Sequence, residues 1–151
     1  MARFVFELEA VLELREREED AARREVAAIE RERVDLEGRL RAVREGIERE
    51  RDEARQALAA GGVAIEDVRR QSTAAFALDA RARDLVLQIA GTHARLSRAR
   101  ETLRAASARR KGVELLRDRR YEQWRRDLAR AEAAEQDELA VMRAGRTEDG
   151  T

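Results

Sequence analysis

The amino-acid sequence predicts an all-α protein, a long antiparallel two-helix coiled coil that folds as an α-helical hairpin. Three observations carry this prediction. Charged residues make up 42% of the 151 residues and proline is absent, a composition typical of long helices rather than of a round domain. Apolar residues recur every three or four positions, and the single pair of adjacent glycines, Gly61-Gly62, separates two such stretches. The two halves also carry net charges of opposite sign.

The first helix is predicted over residues 4–58. Alternating steps of four and three residues from Leu8 to Ala57 reach fifteen positions, of which eleven are apolar. A 3.5-residue repeat held over this length keeps one apolar stripe against a partner helix and gives a left-handed supercoil. The charged exceptions within the stripe are Arg15, Glu19, Arg33 and Glu50.

The glycine pair predicts a hairpin tip over residues 59–72, because glycine ends helices and permits tight turns. A separate short helix at residues 64–70, followed by a capping Ser72 or Thr73, is one arrangement that the tip could take.

The second helix is predicted over residues 73–143, with the 3.5-residue repeat running from Leu78 to Val113. A bridge through Arg117 then makes two successive steps of four residues, a stutter that predicts an irregular region near residues 113–121. We expect residues 1–144 to form a single coiled-coil domain. The last residues, 145–151, are expected to be a disordered tail.

The distribution of charge favours a partner helix within the same chain. Residues 1–60 carry 13 basic and 17 acidic groups, and residues 61–144 carry 18 basic and 13 acidic groups. Charges that flank a coiled-coil seam determine which helices pair. A parallel homodimer would place like charges together along the first helix, so a hairpin that is monomeric when free is the preferred interpretation.

No pattern of catalytic or metal-binding residues is found. Cysteine is absent and histidine occurs once, as His93, whereas a metal site needs several converging ligands. The many carboxylates are spaced as ion-pair partners along helices. We therefore predict a protein that is not an enzyme and that binds no cofactor or metal. No segment approaches the roughly 18 apolar residues of a membrane span, which predicts a cytoplasmic protein.

The aromatic residues are concentrated where the two termini would meet. Antiparallel folding brings Phe4, Phe6, Tyr121 and Trp124 to one end of the hairpin. They could form a packing layer or a protein-docking surface, since aromatic side chains are frequent anchors of interfaces. Phe6 and Tyr121 are hard to bury together between two helices, which favours some exposure.

Charge is also segregated along the second helix. Residues 95–130 hold 13 basic and 5 acidic groups, which could face the acidic first helix or bind phosphate. Nucleic acid is the disfavoured partner, because no aromatic platform or recognised binding motif accompanies the basic residues. Acidic residues near a helix C-terminus oppose the macrodipole, so a basic partner surface would explain them. This acidic run comprises Glu132, Glu135, Asp137 and Glu138.

Three short motifs lie near the two ends of the chain. The first is Phe4-x-Phe6-x-Leu8-x3-Leu12-x-Leu14-Arg15-Glu16-x2-Glu19. The second is Lys111-x-Val113-Glu114-x-Leu116, and the third is Glu132-x2-Glu135-x-Asp137-Glu138-Leu139-Ala140. Together they resemble the FliJ family, the small coiled-coil component of the flagellar type III export apparatus. The third motif departs from the family at Ala133-Ala134, where Gln-Lys is usual.

The resemblance implies a hairpin similar to the central stalk of rotary ATPases. Its terminal end would enter the pore of the hexameric export ATPase and promote ring assembly and hydrolysis. The resemblance also implies contacts with the cytoplasmic part of the export gate and with export chaperones, at the inner face of the cell membrane without insertion into it.

Site residues follow from the resemblance and from aromatic character. Gate contact is expected at Phe76. Tyr121 and Trp124 are added to the ATPase-binding set because of their aromatic side chains. The motif residues expected to contact the ATPase are Phe4, Leu8, Leu12, Arg15, Glu132, Asp137 and Glu138.

Two other interpretations stay open from the sequence. One is the equivalent stalk protein of a virulence type III secretion system, which the same physical pattern would fit. The other is a plain structural coiled coil that homodimerises through the stripe of the first helix.

Overall fold

The structure is a computed structural model that describes residues 3–62 and 64–148, with side chains described up to residue 142. It contains two helices, α1 (Glu9–Ala59) and α2 (Ile65–Glu148). Their apolar stripes pack against each other, and the described residues include no β-strand. The predicted all-α hairpin is confirmed.

The helix boundaries differ from the predicted ones at the start of α1. The helix begins at Glu9 instead of at residue 4, after a non-helical stretch and a turn at residues 7–8. In this turn the backbone N–H of Glu9 donates to the carbonyl of Phe6 over 3.2 Å. Phe6 itself is buried. Burial of this ring is a tertiary contact, so helical periodicity alone could not indicate where the helix starts.

The tip differs in detail from the predicted arrangement. A separate short helix at residues 64–70 is not formed, because α2 runs without interruption from Ile65. The hydroxyls of Ser72 and Thr73 donate to the carbonyls of Val68 and Arg69, over 2.8 and 3.0 Å. These bonds to the preceding turn occupy the hydroxyls inside a helix, so neither residue caps a helix start.

The predicted glycine turn is present between the two helices. Gly61 has a φ of +77°, and its N–H donates to the carbonyl of Leu58 over 3.3 Å. A left-handed glycine just after the last helical turn is a common way to end a helix, because it has no Cβ to clash. The chain thereby leaves α1 within two residues of Ala59.

The C-terminal end of α2 extends to Glu148. The tail expected to be disordered therefore begins within this helix, and residues 149–151 lie outside the described part. The helix is also continuous through residues 113–121, so the predicted irregular region is not formed. A stutter brings the average repeat closer to the 3.6 residues of a straight α-helix, so a continuous helix can accommodate it.

Contacts group the chain into two compact units. The terminal unit comprises Met1–Glu19 with Ala105–Thr151, and the tip unit comprises Asp20–Arg104. Each unit contains a segment of both helices. The interior and the surface of each unit are therefore described separately.

The tip unit has an aliphatic interior along the predicted stripes. Leu36, Val43 and Leu85 form one buried cluster. A second buried cluster consists of Ile29, Leu96 and Ala99. The seven-residue spacing from Ile29 to Leu36 to Val43 is the predicted heptad repeat. This agreement arises because every heptad returns a side chain to the face that meets the partner helix.

Ion pairs between the helices explain the charge partition within the tip unit. The guanidinium of Arg100 donates to Glu30 over 2.6 Å, and that of Arg95 donates to Glu32 over 2.9 Å. Part of the basic stretch therefore faces the acidic first helix. The pKa of the Glu30 carboxyl is held below its usual range, first by its hydrogen bond from Arg33 and also by Arg100.

The terminal unit buries fewer aliphatic side chains than the tip unit does. Phe6, Leu12 and Ala106 are buried, and Val113 and Trp124 are half-buried farther along α2. Arg117, which lies between the two apolar series of the second helix, is half-buried as well. A thin interior of this kind leaves polar and aromatic groups to complete the packing.

Candidate protein-docking site

Three aromatic rings form a cluster in the terminal unit. The ring centroids of Phe4 and Tyr121 lie 5.3 Å apart in an edge-to-face arrangement, and those of Tyr121 and Trp124 lie 5.8 Å apart and stacked. Phe4 and Trp124 are 5.8 Å apart. These separations lie within the range of favourable aromatic pairs. We call Phe4, Tyr121 and Trp124 the aromatic cluster.

Local structure explains why these three rings meet. Residues three apart on a helix share a face, which places Tyr121 and Trp124 side by side on α2. The non-helical start of the chain then carries Phe4 against them. Arg120 ties this start to α2 by an ion pair of 3.2 Å to Glu7.

The aromatic cluster is partly exposed, so it combines features of the two predicted alternatives, a packing layer and a docking surface. Tyr121 is 44% exposed, whereas Phe6 lies inside. Phe4 and Trp124 are half-buried. The expectation that Phe6 and Tyr121 cannot both be buried therefore agrees with their positions. The cluster packs on one side and presents an aromatic rim on the other.

The other expected residues of the first motif lie at different depths. Leu12 is 2% exposed, so it supports the surface from the interior. Leu8 is half-buried. Arg15 is also half-buried and donates to Glu18 over 2.8 Å. Of these three residues, Leu8 and Arg15 reach the surface.

A polar layer crosses the seam of the terminal unit. Glu19 is 3% exposed, accepts a hydrogen bond of 2.8 Å from the Ser107 hydroxyl and accepts another from the Nε of Arg110. Arg110 also donates to Glu114 over 2.6 Å. The hydrogen bond to Glu19 is the first cause that raises the pKa of Arg110, and the charge of Glu114 adds to it. We call Glu19, Ser107, Arg110 and Glu114 the seam polar layer.

In the sequence, Glu19 stands out only as an exception in the apolar stripe, and the apolar repeat gives no indication that it pairs with Arg110. A signal was available, because both residues occupy seam positions and carry opposite charges. Their pairing required the relative alignment of the two helices, which the apolar repeat does not specify.

The acidic run lies exposed on the last turns of α2 whose side chains are described. Among the described side chains, none of its four carboxylates has an ion-pair partner, in contrast to the neighbouring Asp127, which pairs with Arg130 at 3.7 Å. Leu139 and Met142, on the same turns, are also exposed. We call residues 132–142 the acidic segment. It combines unpaired negative charge with apolar side chains that nothing in the described chain covers.

Phe76 belongs to the tip unit. Its ring is 77% exposed. It borders an apolar groove of about 550 Å³ whose lining includes Leu58 and Val68. The expected gate-binding residue is therefore on a surface that a partner can reach.

The described residues, 3–62 and 64–148, show neither a metal-binding cluster nor a membrane-spanning helix. They contain no group of three or more acidic or histidine side chains placed to hold a metal ion. His93 is exposed. Neither of the two helices, over the residues described, is apolar for long enough to cross a membrane.

Comparison with known families decides the affiliation. Residues 4–149 match the family model described as Flagellar FliJ protein. The chain belongs to the FliJ family. No curated protein and no solved structure matches it. Because the match spans nearly the whole chain, both the terminal and the tip units are part of the family fold, and the protein is associated with flagellar export.

Proposed function

We propose that this FliJ family protein is a non-enzymatic regulator of the flagellar export ATPase. Its terminal unit binds in the pore of the ATPase hexamer and promotes ring assembly and hydrolysis. The protein also links the ATPase to the export gate and to export chaperones. It works in the cytoplasm, at the inner face of the cell membrane, without entering the bilayer. The observation that carries the proposal is the unpaired, exposed acidic segment.

The acidic segment has no evident role in the fold. Glu132, Glu135 and Glu138 are spaced three residues apart on one face of α2, where like charges repel one another. None of the four acidic side chains gains an ion pair among the described side chains in return. A basic pore lining would stabilise them by direct charge pairing. Exposed Leu139 and Met142 add the apolar contacts that an interface needs at its centre.

The aromatic cluster supplies anchors for the same interface. Tyr and Trp side chains are enriched among the residues that dominate binding energies, and Tyr121 is well exposed. Phe4 packs against both rings of α2, and side chains that are already packed lose less freedom on binding. Leu8 and Arg15 extend the proposed contact along α1, and Leu12 supports it from within.

Contact with the export gate is proposed at Phe76, because this ring is exposed beside an apolar groove. The substitution Phe76→Ala should reduce capture of the gate's cytoplasmic domain and leave ATPase stimulation unchanged. Loss of stimulation with unchanged gate binding would contradict this assignment. The chaperone contact is proposed on family grounds and is given no residue.

Stimulation of the cognate export ATPase tests the main proposal. Addition of the purified chain should raise the hydrolysis rate and the fraction of assembled rings. Asp137→Lys with Glu138→Lys should weaken both effects, because repulsion replaces attraction at the pore. A matched control reverses the exposed Glu25 and Glu45 of the tip unit to lysine, which changes the net charge equally and should preserve stimulation.

The outcomes separate the proposal from its alternatives. If the wild-type chain has no effect on rate or assembly, or if the control pair loses as much as the acidic pair, ATPase regulation through the acidic segment is wrong. A plain structural homodimer predicts twice the 17.2 kDa chain mass in light scattering, whereas the hairpin predicts the monomer mass. Stimulation of a virulence-system ATPase instead of the flagellar one would favour the virulence alternative.

A further inference from the structure

The seam polar layer replaces apolar contacts at the centre of the terminal unit. Glu19 occupies a position that the heptad repeat reserves for an apolar residue, and it is almost completely buried. Its two oxygens are used by different donors, the hydroxyl of Ser107 and the guanidinium of Arg110. Arg110 in turn donates to Glu114 across one turn of α2. Every member of the layer is therefore hydrogen-bonded.

A buried ion pair such as Glu19–Arg110 contributes little net stability, because both charged groups lose their hydration when they are buried. An aliphatic pair of the same volume would often stabilise a coiled coil at least as well. Buried polar residues at seam positions are best known for another effect, the selection of one alignment and one pairing of helices. The layer is therefore expected to contribute to specificity more than to stability.

The other seam residues of this unit distinguish poorly between alignments, because Arg15 and Arg117 are only half-buried, so their charged ends stay in contact with solvent. Leu12, Ala106 and Val113 are all apolar, and a shift by one heptad exchanges one apolar neighbour for another. For the seam polar layer, the same shift would replace a charged neighbour by an apolar one. In one direction Arg110 would face Leu12, and in the other it would face Val26. Either alignment leaves the guanidinium against an aliphatic side chain.

We propose that Glu19 and Arg110 are positioning residues that fix the axial register of α1 against α2 in the terminal unit. By fixing the register they also keep Phe4 opposite Tyr121 and Trp124, so the aromatic cluster forms in one arrangement. The register claim stands on the structure alone. Its consequence for the ATPase rests on the proposed function.

Distance measurement between spin labels tests the register. The chain has no cysteine, so cysteines introduced at the exposed positions Glu16 and Lys111, which flank the layer, are labelled without background. In the otherwise wild-type chain we expect one narrow distance distribution. With Glu19→Leu and Arg110→Leu together, we expect unchanged helix content and a second population, shifted along the helix axis by about 10 Å, which is one heptad at ~1.5 Å per residue.

A matched control makes the same two changes of residue type at an exposed ion pair of this unit. Glu13→Leu with Arg17→Leu removes a pair of 3.5 Å between two exposed residues of α1, and it should keep the single distance. A single wild-type distance in the Glu19/Arg110 variant would overturn the inference. Loss of helix in that variant would overturn it too, because the layer would then support the fold itself and not its alignment.

The last part of the experiment adds the export ATPase. The Glu19/Arg110 double-leucine variant should stimulate hydrolysis several-fold less than the control variant, since a misaligned aromatic cluster meets the pore incorrectly. If the wild-type chain gives no stimulation, the proposed function fails while the distance measurement still decides the register. If the register shifts and stimulation is unchanged, the positioning role for docking is refuted.

Discussion

Truncation of Leu36 to alanine tests where the structure places the interior of the tip unit. Leu36 is 5% exposed and belongs to a cluster with Val43 and Leu85. The change removes three carbon atoms, at about 0.8 kcal/mol for each buried methylene. A partial cavity term adds to this, although two helices can move together more easily than a multilayered core can. The expected loss of unfolding free energy is therefore roughly 2.5–3.5 kcal/mol.

The matched control is Leu87→Ala, the same substitution on a side chain that is 71% exposed. It should change the unfolding free energy by less than about 0.5 kcal/mol. Urea unfolding followed by circular dichroism measures both variants. In thermal unfolding, Leu36→Ala should lower the midpoint by roughly 5–12 °C for a chain of this length. Equal losses from the two substitutions would show that the buried stripe lies elsewhere than the structure places it.

Three further predictions concern backbone, aromatic contact and pH. Gly91→Ala should stabilise the chain by about 0.5–1 kcal/mol, because nothing lies within 4 Å of the added Cβ, whereas Gly61→Ala should destabilise it by about 1 kcal/mol at its positive φ. Differential scanning calorimetry would show the opposite signs, and equal signs would refute the assigned turn. Phe4→Ala should shift the emission of Trp124, the single tryptophan, to longer wavelength, and an unchanged spectrum would contradict the ring contact. The lowered pKa of Glu30 contributes stability that is present above the unfolded-state value and is lost as pH falls through the lower folded-state value. Acid titration of the thermal midpoint should therefore depend less on pH in a Glu30→Gln variant, and an identical dependence would contradict this contribution.

Much of the fold follows from local patterns that the sequence displays directly. The apolar repeats that start at Leu8 and at Leu78 determine two helices with matching stripes, because each heptad returns a side chain to one face. The glycine pair determines where the first helix ends, because Gly61 adopts a backbone conformation that other residues avoid. Among the candidate docking residues, Tyr121 and Trp124 follow from their aromatic side chains, whereas the motif residues at both ends of the chain follow from the resemblance to the family.

Tertiary structure decided what depends on the alignment of one helix against the other. It places the start of α1 at Glu9, because burial of Phe6 takes the preceding residues out of the helix. It pairs Glu19 with Arg110, which lie far apart in sequence. It also leaves the acidic segment without partners among the described side chains. Periodicity specifies which face of a helix is buried, whereas register and pairing depend on contacts between residues that only the folded chain brings together.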